Sequence, residues 1–219
     1  MIGTQTFFPL CKQSKQGFSV PSPARSPHSP HTGGNAVVGR LDFHAVTRDR
    51  WDDLERLFDA PGGPKHCWCM VWRAMPKGAS RSDSQAKKEA LESRVQQGVP
   101  IGILGYVDGE PAAWCSVAPR NTFRDLGGAH LPGDAPESVW SVVCFFVPRP
   151  LRLQGVARSL LEAAVVHARS NGAKMLEAYP VDLNSPSYRF MGFVSTFKAL
   201  GFREVGTAGT RRHVMRLPL

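Results

Sequence analysis

From Leu41 onward the chain alternates between stretches of strand period and stretches of helix period. Leu41-Asp42-Phe43 opens a first strand. Trp51, Leu54, Leu57 and Phe58 then fall on one face of a helix, which Thr47 or Asp49 is placed to cap and Pro61-Gly62-Gly63-Pro64 ends. A second helix is predicted from Asp83 to Gln97, with Ser82 as its cap and Gly98 as its stop. Ile101 to Val107, the turn Asp108-Gly109 and Ala112 to Val117 read as a β-hairpin. Residues 119–138, punctuated by Gly127, Gly128, Pro132, Gly133 and Pro136, make a long loop. Beyond it the pattern gives an apolar strand from Val139 to Val147, an amphipathic helix from Ala157 to Ser170 stopped by Gly172, and a strand from Lys174 to Tyr179. A short helix over Phe190 to Leu200 and strands over Phe202 to Val205 and His213 to Leu217 complete an α/β chain. Trp114 and Trp140 belong to the core of adjacent strands, whereas the spacing of His167 predicts a surface position.

Residues 1–38 have none of this periodicity. They are rich in Pro, Ser and His, as in Ser26-Pro27-His28-Ser29-Pro30-His31, and such a composition buries too little surface to offset its ordering entropy. A disordered leader is expected there, with one folded domain over residues 39–219. Phe7, Phe8 and Leu10 are too short and unflanked a cluster for a secretory signal.

Charge and cysteine usage narrow the class. The net charge is +9, but Lys12, Lys15, Arg25 and Arg40 supply four of these charges with no acid among the first forty residues, leaving +5 for the rest. A modestly basic domain suits a polyanionic ligand. No dense Lys/Arg stripe with interleaved aromatics argues for nucleic acid, and no apolar run approaches the ~20 residues that span a bilayer. Five cysteines, an odd number in mostly apolar surroundings, favour a reducing cytoplasm over a disulfide framework.

The stretch Arg152-Leu153-Gln154-Gly155-Val156-Ala157 joins the apolar strand to the amphipathic helix. A turn there exposes the helix's first backbone N–H groups, which suit a diphosphate. Gly155 and Ala157 let an anion approach the main chain, and Arg152 and Arg158 add positive charge. The spacing is too short for a Walker loop and lacks the glycines of a dinucleotide fingerprint. Arg152, Gly155 and Ala157 match the Arg/Gln-x-x-Gly-x-Gly/Ala signature of the GNAT superfamily of acyl-CoA-dependent N-acyltransferases, which the chain resembles from about Leu41 to Leu219. Ala199-Leu200-Gly201-Phe202 is similar to the ending of that family's fourth helix. The resemblance implies a mixed, mostly antiparallel sheet of six to seven strands flanked by four helices, with the diphosphate of acetyl-CoA as the anion.

Acyl transfer from a thioester to an amine needs an anchored carrier, a polarised carbonyl, a deprotonated amine and a leaving thiolate. The resemblance implies that the fourth strand splays from the fifth, that pantetheine fills the gap, and that a fourth-strand N–H meets the thioester oxygen. By register Phe145 and Val147 present their backbone to the carrier, while Arg152, Leu153, Gln154, Gly155, Val156, Ala157 and Arg158 surround the diphosphate. Pro148 and Pro150, where a single proline is commoner, stop the strand at that point. An amine of pKa about 10 must lose a proton, and Glu137, Glu177 and Asp182 are the carboxylates in range. Glu177 has two readings, a carboxylate raised in pKa by an apolar strand or an outward, solvated one. Glu137 is either a substrate-side acid or an ordinary surface one. Many family members protonate the thiolate with a Tyr where this chain has Phe197, and Phe190 replaces a usual Asn. Tyr188 is the candidate replacement or a packed loop aromatic. A thiol of pKa about 8.5 also leaves unaided at some cost in rate.

His66-Cys67-Trp68-Cys69 has the look of a zinc site, but no second pair of ligands follows at a usable spacing, so no metal is expected. This segment is either an aromatic–thiol plug between the first two helices or, as the resemblance implies, a border of the acceptor pocket with Trp68, Trp72 and Arg73 facing substrate. The leading expectation is a cytoplasmic N-acetyltransferase that acetylates a small-molecule amine, such as an antibiotic or metabolite, by direct attack in a ternary complex. Peptide or protein amines are a second option and a non-catalytic acyl-CoA-binding module a third. Neither nucleic acid nor membrane is expected as a partner, and a homodimer is left open.

Overall fold

The computed structural model describes residues 39–128, 135 and 138–219; the leader and Glu137 lie outside the described residues. Seven strands form one sheet, β1 (Leu41–Ala45), β2 (Ile103–Val107), β3 (Glu110–Pro119), β4 (Val139–Phe146), β5 (Met175–Ala178), β6 (Arg203–Ala208) and β7 (Arg212–Pro218). Their spatial order is β1-β2-β3-β4-β5-β7-β6. Every neighbouring pair is antiparallel except β4 with β5, which a helical crossover makes parallel. The β2–β3 hairpin turns on Asp108 and Gly109, both at positive φ (50° and 87°), as a two-residue turn of matching twist requires.

Four helices cover the sheet: α1 (Trp51–Asp59), α2 (Ser84–Gln96), α3 (Val156–Ser170) and α4 (Val194–Lys198). The apolar stripe of α3, with Leu160, Leu161, Ala164 and Ala168, packs on Ile103, Cys115, Val117, Val142 and Leu176. On the other face Leu54 and Phe58 of α1 and Leu91 and Val95 of α2 cover Leu104, Tyr106 and Trp114. These two layers enclose β4 between them.

Several local expectations are corrected. Thr47 and Asp49 do not cap α1; a 3-10 turn over Arg48–Arg50 leads into it with no side-chain cap. Asp83 rather than Ser82 caps α2, its carboxylate accepting from the N–H groups of Gln85 at 2.8 Å and Ala86 at 3.2 Å. The helix expected over residues 190–200 is broken into a 3-10 turn (Arg189–Met191) and the five-residue α4. Gly192 breaks it, at φ 89° and ψ 179°, and a Cβ there would stand 2.8 Å from the Phe197 ring. His167 is buried, meeting the edge of Trp140 at 5.4 Å, and burial lowers its pKa to about 4. It belongs to the inward stripe of α3 and not to the surface.

Candidate active site

The site begins where β4 loses one neighbour. Its parallel pairing with β5 runs from Val139↔Met175 to Val142↔Ala178 and stops, while its pairing with β3 continues to Trp114↔Phe146. The register against β3 slips at this point, Val117 facing Val142 but Ser116 facing Cys144, which makes Val143 a bulge. From Val143 to Phe146 the strand therefore has one backbone edge no longer paired with β5, facing the gap where the two strands part. Phe145 lies beside it, its ring edge-on to Phe197 at 6.1 Å. The strand ends at Phe146, one residue short of the expected Val147, and the Val147 carbonyl accepts the Arg152 Nε at 2.9 Å. That carbonyl is thus committed to the turn and not to the gap.

Directly beyond the gap stands the N-terminus of α3. Pro148 and Pro150 shape a 3-10 turn over Arg149–Leu151, after which Arg152 is extended (φ −72°, ψ 156°). Leu153 (φ 62°) and Gly155 (φ 83°) both take left-handed backbone, and the Leu153 side chain stands fully in solvent. The Gln154 amide closes the turn on the Pro150 carbonyl at 2.5 Å, and the side chain of Val156 anchors the helix end in the core. No side chain caps α3 and no acid lies in its first turn, so the N–H groups of Val156, Ala157 and Arg158 have no intrahelical acceptor. A Cβ at Gly155 would meet nothing within 4 Å, which leaves open space directly in front of these donors. Arg158 pairs with Glu162 at 2.9 Å, and the Arg152 side chain turns back onto the Val147 carbonyl. Main-chain donors without acceptors, open space and two arginines thus meet where the pairing of β4 with β5 has ended.

The face of the sheet away from α3 holds the candidate acceptor side. Glu177 is fully buried, which overturns its reading as an outward, solvated carboxylate. One oxygen accepts from Arg216 (Nε at 2.7 Å, Nη2 at 2.6 Å); the other accepts the Tyr179 hydroxyl and faces the Arg120 Nε at 3.5 Å. Burial, and then the Glu177 charge, push the Tyr179 phenol above its usual range. Neighbouring Leu176 and Ala178 point into the α3 layer, so Glu177 sits on the opposite face as strand alternation demands. What encloses it is remote in sequence: Arg120 follows β3, Arg216 belongs to β7, and Leu126 and Phe123 roof this side of the sheet. Asp182 is exposed and bonds His213 Nε2 at 3.2 Å.

Trp72 and Tyr188, singled out separately in the sequence, lie together, their rings stacked at 6.3 Å. The Arg212 guanidinium lies over both, 4.5 Å from the Trp72 ring and 5.3 Å from that of Tyr188, and is held by the Leu126 carbonyl at 2.8 Å. The Trp72 indole N–H is buried with no hydrogen-bond partner among the described residues. Tyr188 takes left-handed backbone (φ 59°) at the start of the 3-10 turn before Gly192. Sequence reasoning missed Arg120, Arg212 and Arg216; the available signal was the pair of arginines four residues apart within the apolar Arg212–Arg216 run.

Trp68 and Arg73 do not line this wall. Trp68 is buried against Trp51 at 5.9 Å and Phe58 at 5.3 Å, inside the α1–α2 layer. Arg73 is 1% exposed, donates to the Cys69 carbonyl at 2.9 Å and the Ile101 carbonyl at 2.8 Å, and lies on the Phe123 ring. The segment is the aromatic–thiol plug: Trp68 and Cys69 adopt positive φ (44° and 53°), and the Trp114 indole N–H donates to the Cys69 sulfur at 3.3 Å. The Cys144 thiol, then Arg73 and Trp114, lower the Cys69 pKa against its burial. Among the described residues no group of three or more His, Cys, Asp or Glu is placed to hold a metal ion, and no helix is long and apolar enough to cross a membrane.

A family model described as the acetyltransferase (GNAT) family matches residues 64–193. No curated protein matches the chain. Among solved structures, the GNAT domain of PAT from S. lividans superposes with a TM-score of 0.54 at 18% identity, with 83% of this chain and 92% of the other covered. An acetyltransferase from Thermus thermophilus gives 0.51 at 18% identity, with 84% and 99% covered. AAC(6')-Ib, solved with paromomycin and acetyl-CoA, gives 0.53 at 14% identity, with 81% and 93% covered.

Proposed function

The chain belongs to the acetyltransferase (GNAT) family, and we propose that this N-acetyltransferase moves the acetyl group of acetyl-CoA to the primary amine of a small molecule by direct attack in a ternary complex. One observation carries the reading: the bulged end of β4 offers a free backbone edge that leads straight to the uncapped N-terminus of α3. The first-turn amides of α3, with Arg152 and Arg158, hold the diphosphate. The exposed edge of β4 pairs with the pantetheine amides, and an N–H of that edge polarises the thioester carbonyl.

The amine then attacks the carbonyl carbon, the C–S bond breaks, and the thiol leaves as thiolate. Phe197 is fully buried and carries no proton to give, and Tyr188 lies with Trp72 and Arg212 on the acceptor wall, so departure is unaided. Glu177 is committed to Arg216, Arg120 and Tyr179 and serves to hold the end of β5. Glu137, ahead of β4, keeps the part of proton acceptor; a Glu137→Gln enzyme as fast as the parent at pH 7 would return that part to solvent.

Two flat rings under a guanidinium suit an aromatic amine that is neutral or carries an anionic group. A polycationic aminoglycoside would meet Arg212 unfavourably, although AAC(6')-Ib, of the same fold, was solved with one. Thiol release from acetyl-CoA across a panel of arylalkylamines, amino acids, aminoglycosides and peptides tests the proposal. Turnover confined to aromatic small-molecule amines is the expected result. Thermal stabilisation by CoA with no turnover on any amine would overturn it, and turnover only on peptides would overturn the acceptor class.

A further inference from the structure

On the face of the sheet away from α3, a cavity of about 260 Å³ opens beside the connection between α1 and α2. Three cations line it, Arg81 from that connection, Lys87 from the first turn of α2 and Arg124 from the loop after β3, and among the described residues no carboxylate does. Each is held by one main-chain carbonyl: Arg81 by that of Arg73 at 3.1 Å, Lys87 by that of His66 at 2.7 Å, and Arg124 by that of Val71 at 3.3 Å. Among the described residues none of the three pairs with an acid. Met70, Val71 and Met75 form an apolar wall, on which Val71 is 42% exposed.

Like charges gathered around one hollow repel, and chains ordinarily disperse them or pair them with acids. Here three cations, each on a backbone carbonyl, line a common space, and among the described residues most of their donors are unused. A guanidinium or ammonium with spare donors is matched best by phosphate or carboxylate oxygens. A thioether and valine wall beside it is matched by an apolar body. We propose that this cavity binds an organic anion, its phosphate or carboxylate group between Arg81, Lys87 and Arg124 and its apolar part against Met70, Val71 and Met75. The site is separate from the cradle of α3, which lies beyond the opposite face. An occupant would tie the connection to the loop after β3, the two segments already joined by the Arg124 N–H on the Trp72 carbonyl at 2.8 Å.

Cys67 lines the same cavity and is only half-buried, so its alkylation reports occupancy locally. The full chain is treated with iodoacetamide alone or with phenyl phosphate, inorganic phosphate or phenol, and labelling at Cys67 is mapped by peptide mass spectrometry beside calorimetric titration. Phenyl phosphate is expected to bind and to protect Cys67, inorganic phosphate more weakly, and phenol not at all. Single variants R124Q and K87Q should each weaken phenyl phosphate by about tenfold, the cost of one charge-assisted contact. The triple variant R81Q/K87Q/R124Q should lose protection, whereas Gly155→Glu should retain it, which separates this site from the diphosphate cradle. Failure of phenyl phosphate to protect the parent protein, equal protection in the triple variant, or equal protection by phenol would each overturn the proposal.

Discussion

Replacement of Gly155 separates what the α3 cradle needs for folding from what it needs for its ligand. Gly155 sits at φ 83°, where an L side chain costs about 1–2 kcal/mol. A Cβ there meets nothing within 4 Å, so steric crowding adds nothing to that cost. Gly155→Ala should therefore lower the melting temperature by roughly 2–8 °C for a domain of this size. Gly155→Glu bears the same backbone cost, but its carboxylate lies beside the free N–H groups of Val156, Ala157 and Arg158 and regains about 0.3–1 kcal/mol from the helix N-terminus. The acidic variant should thus be at least as stable as the alanine one. For CoA the order reverses. The carboxylate competes for the first-turn amides and repels the diphosphate, and loss of two charge-assisted contacts at about 1.5–3 kcal/mol each weakens binding by roughly 10²- to 10⁴-fold. Calorimetric titration with CoA, and with pantetheine as the fragment that lacks a diphosphate, measures this directly. A folded Gly155→Glu protein with parental CoA affinity would refute the cradle, and equal losses for CoA and pantetheine would refute the assignment of the diphosphate to it.

Glu177→Gln should cost about 3 kcal/mol in urea unfolding, because the buried ion pair with Arg216 loses its negative charge, and Glu177→Leu with Arg216→Met should recover part of that loss. The buried imidazole of His167 stays neutral down to about pH 4, whereas in the unfolded chain it protonates near 6.5. Protons therefore bind the unfolded state first, and stability is lost as pH falls from 6.5 toward 4, by about 2.5 kcal/mol at pH 4.5. Urea titrations at pH 7 and 4.5 should show a smaller difference for His167→Gln than for the parent. Arg212→Met should leave CoA affinity unchanged while raising KM for acceptors that carry an anionic group, as read from thiol-release kinetics.

The periodic part of the fold was legible because local rules decide it. Asp108-Gly109 specifies its hairpin, Gly155 specifies the turn before α3, and the α3 stripe specifies the face that helix buries. The misreadings arise where a remote segment decides. Glu177 alternates correctly out of the α3 layer, but alternation alone cannot tell solvent from the roof that Phe123 and Leu126 build over it. His167 lies three and four residues beyond Ala164 and Ala163, within the apolar stripe, and Trp140 supplies its neighbour from another strand. The helix expected over residues 190–200 exceeds α4 because Gly192 and Phe193 are tolerable in a helix by composition, while tertiary packing against Phe197 and Phe145 holds Gly192 at positive φ.

The segment from Cys67 to Arg73 shows how such a remote decision bears on the chemistry. Two consecutive residues at positive φ, Trp68 and Cys69, are unfavourable by about 1–2 kcal/mol each. They persist because Trp68 enters the α1–α2 layer, Cys69 accepts from Trp114, and Arg73 reaches the Ile101 carbonyl ahead of β2. With those three anchors set, Trp72 has little freedom left and is delivered to Tyr188 and Arg212. The same turn points Met70, Val71 and Met75 toward the basic cavity. These three anchors thus position the acceptor wall on one side of the segment and the anion cavity on the other, so shortening Trp68 should disturb both although it touches neither ligand.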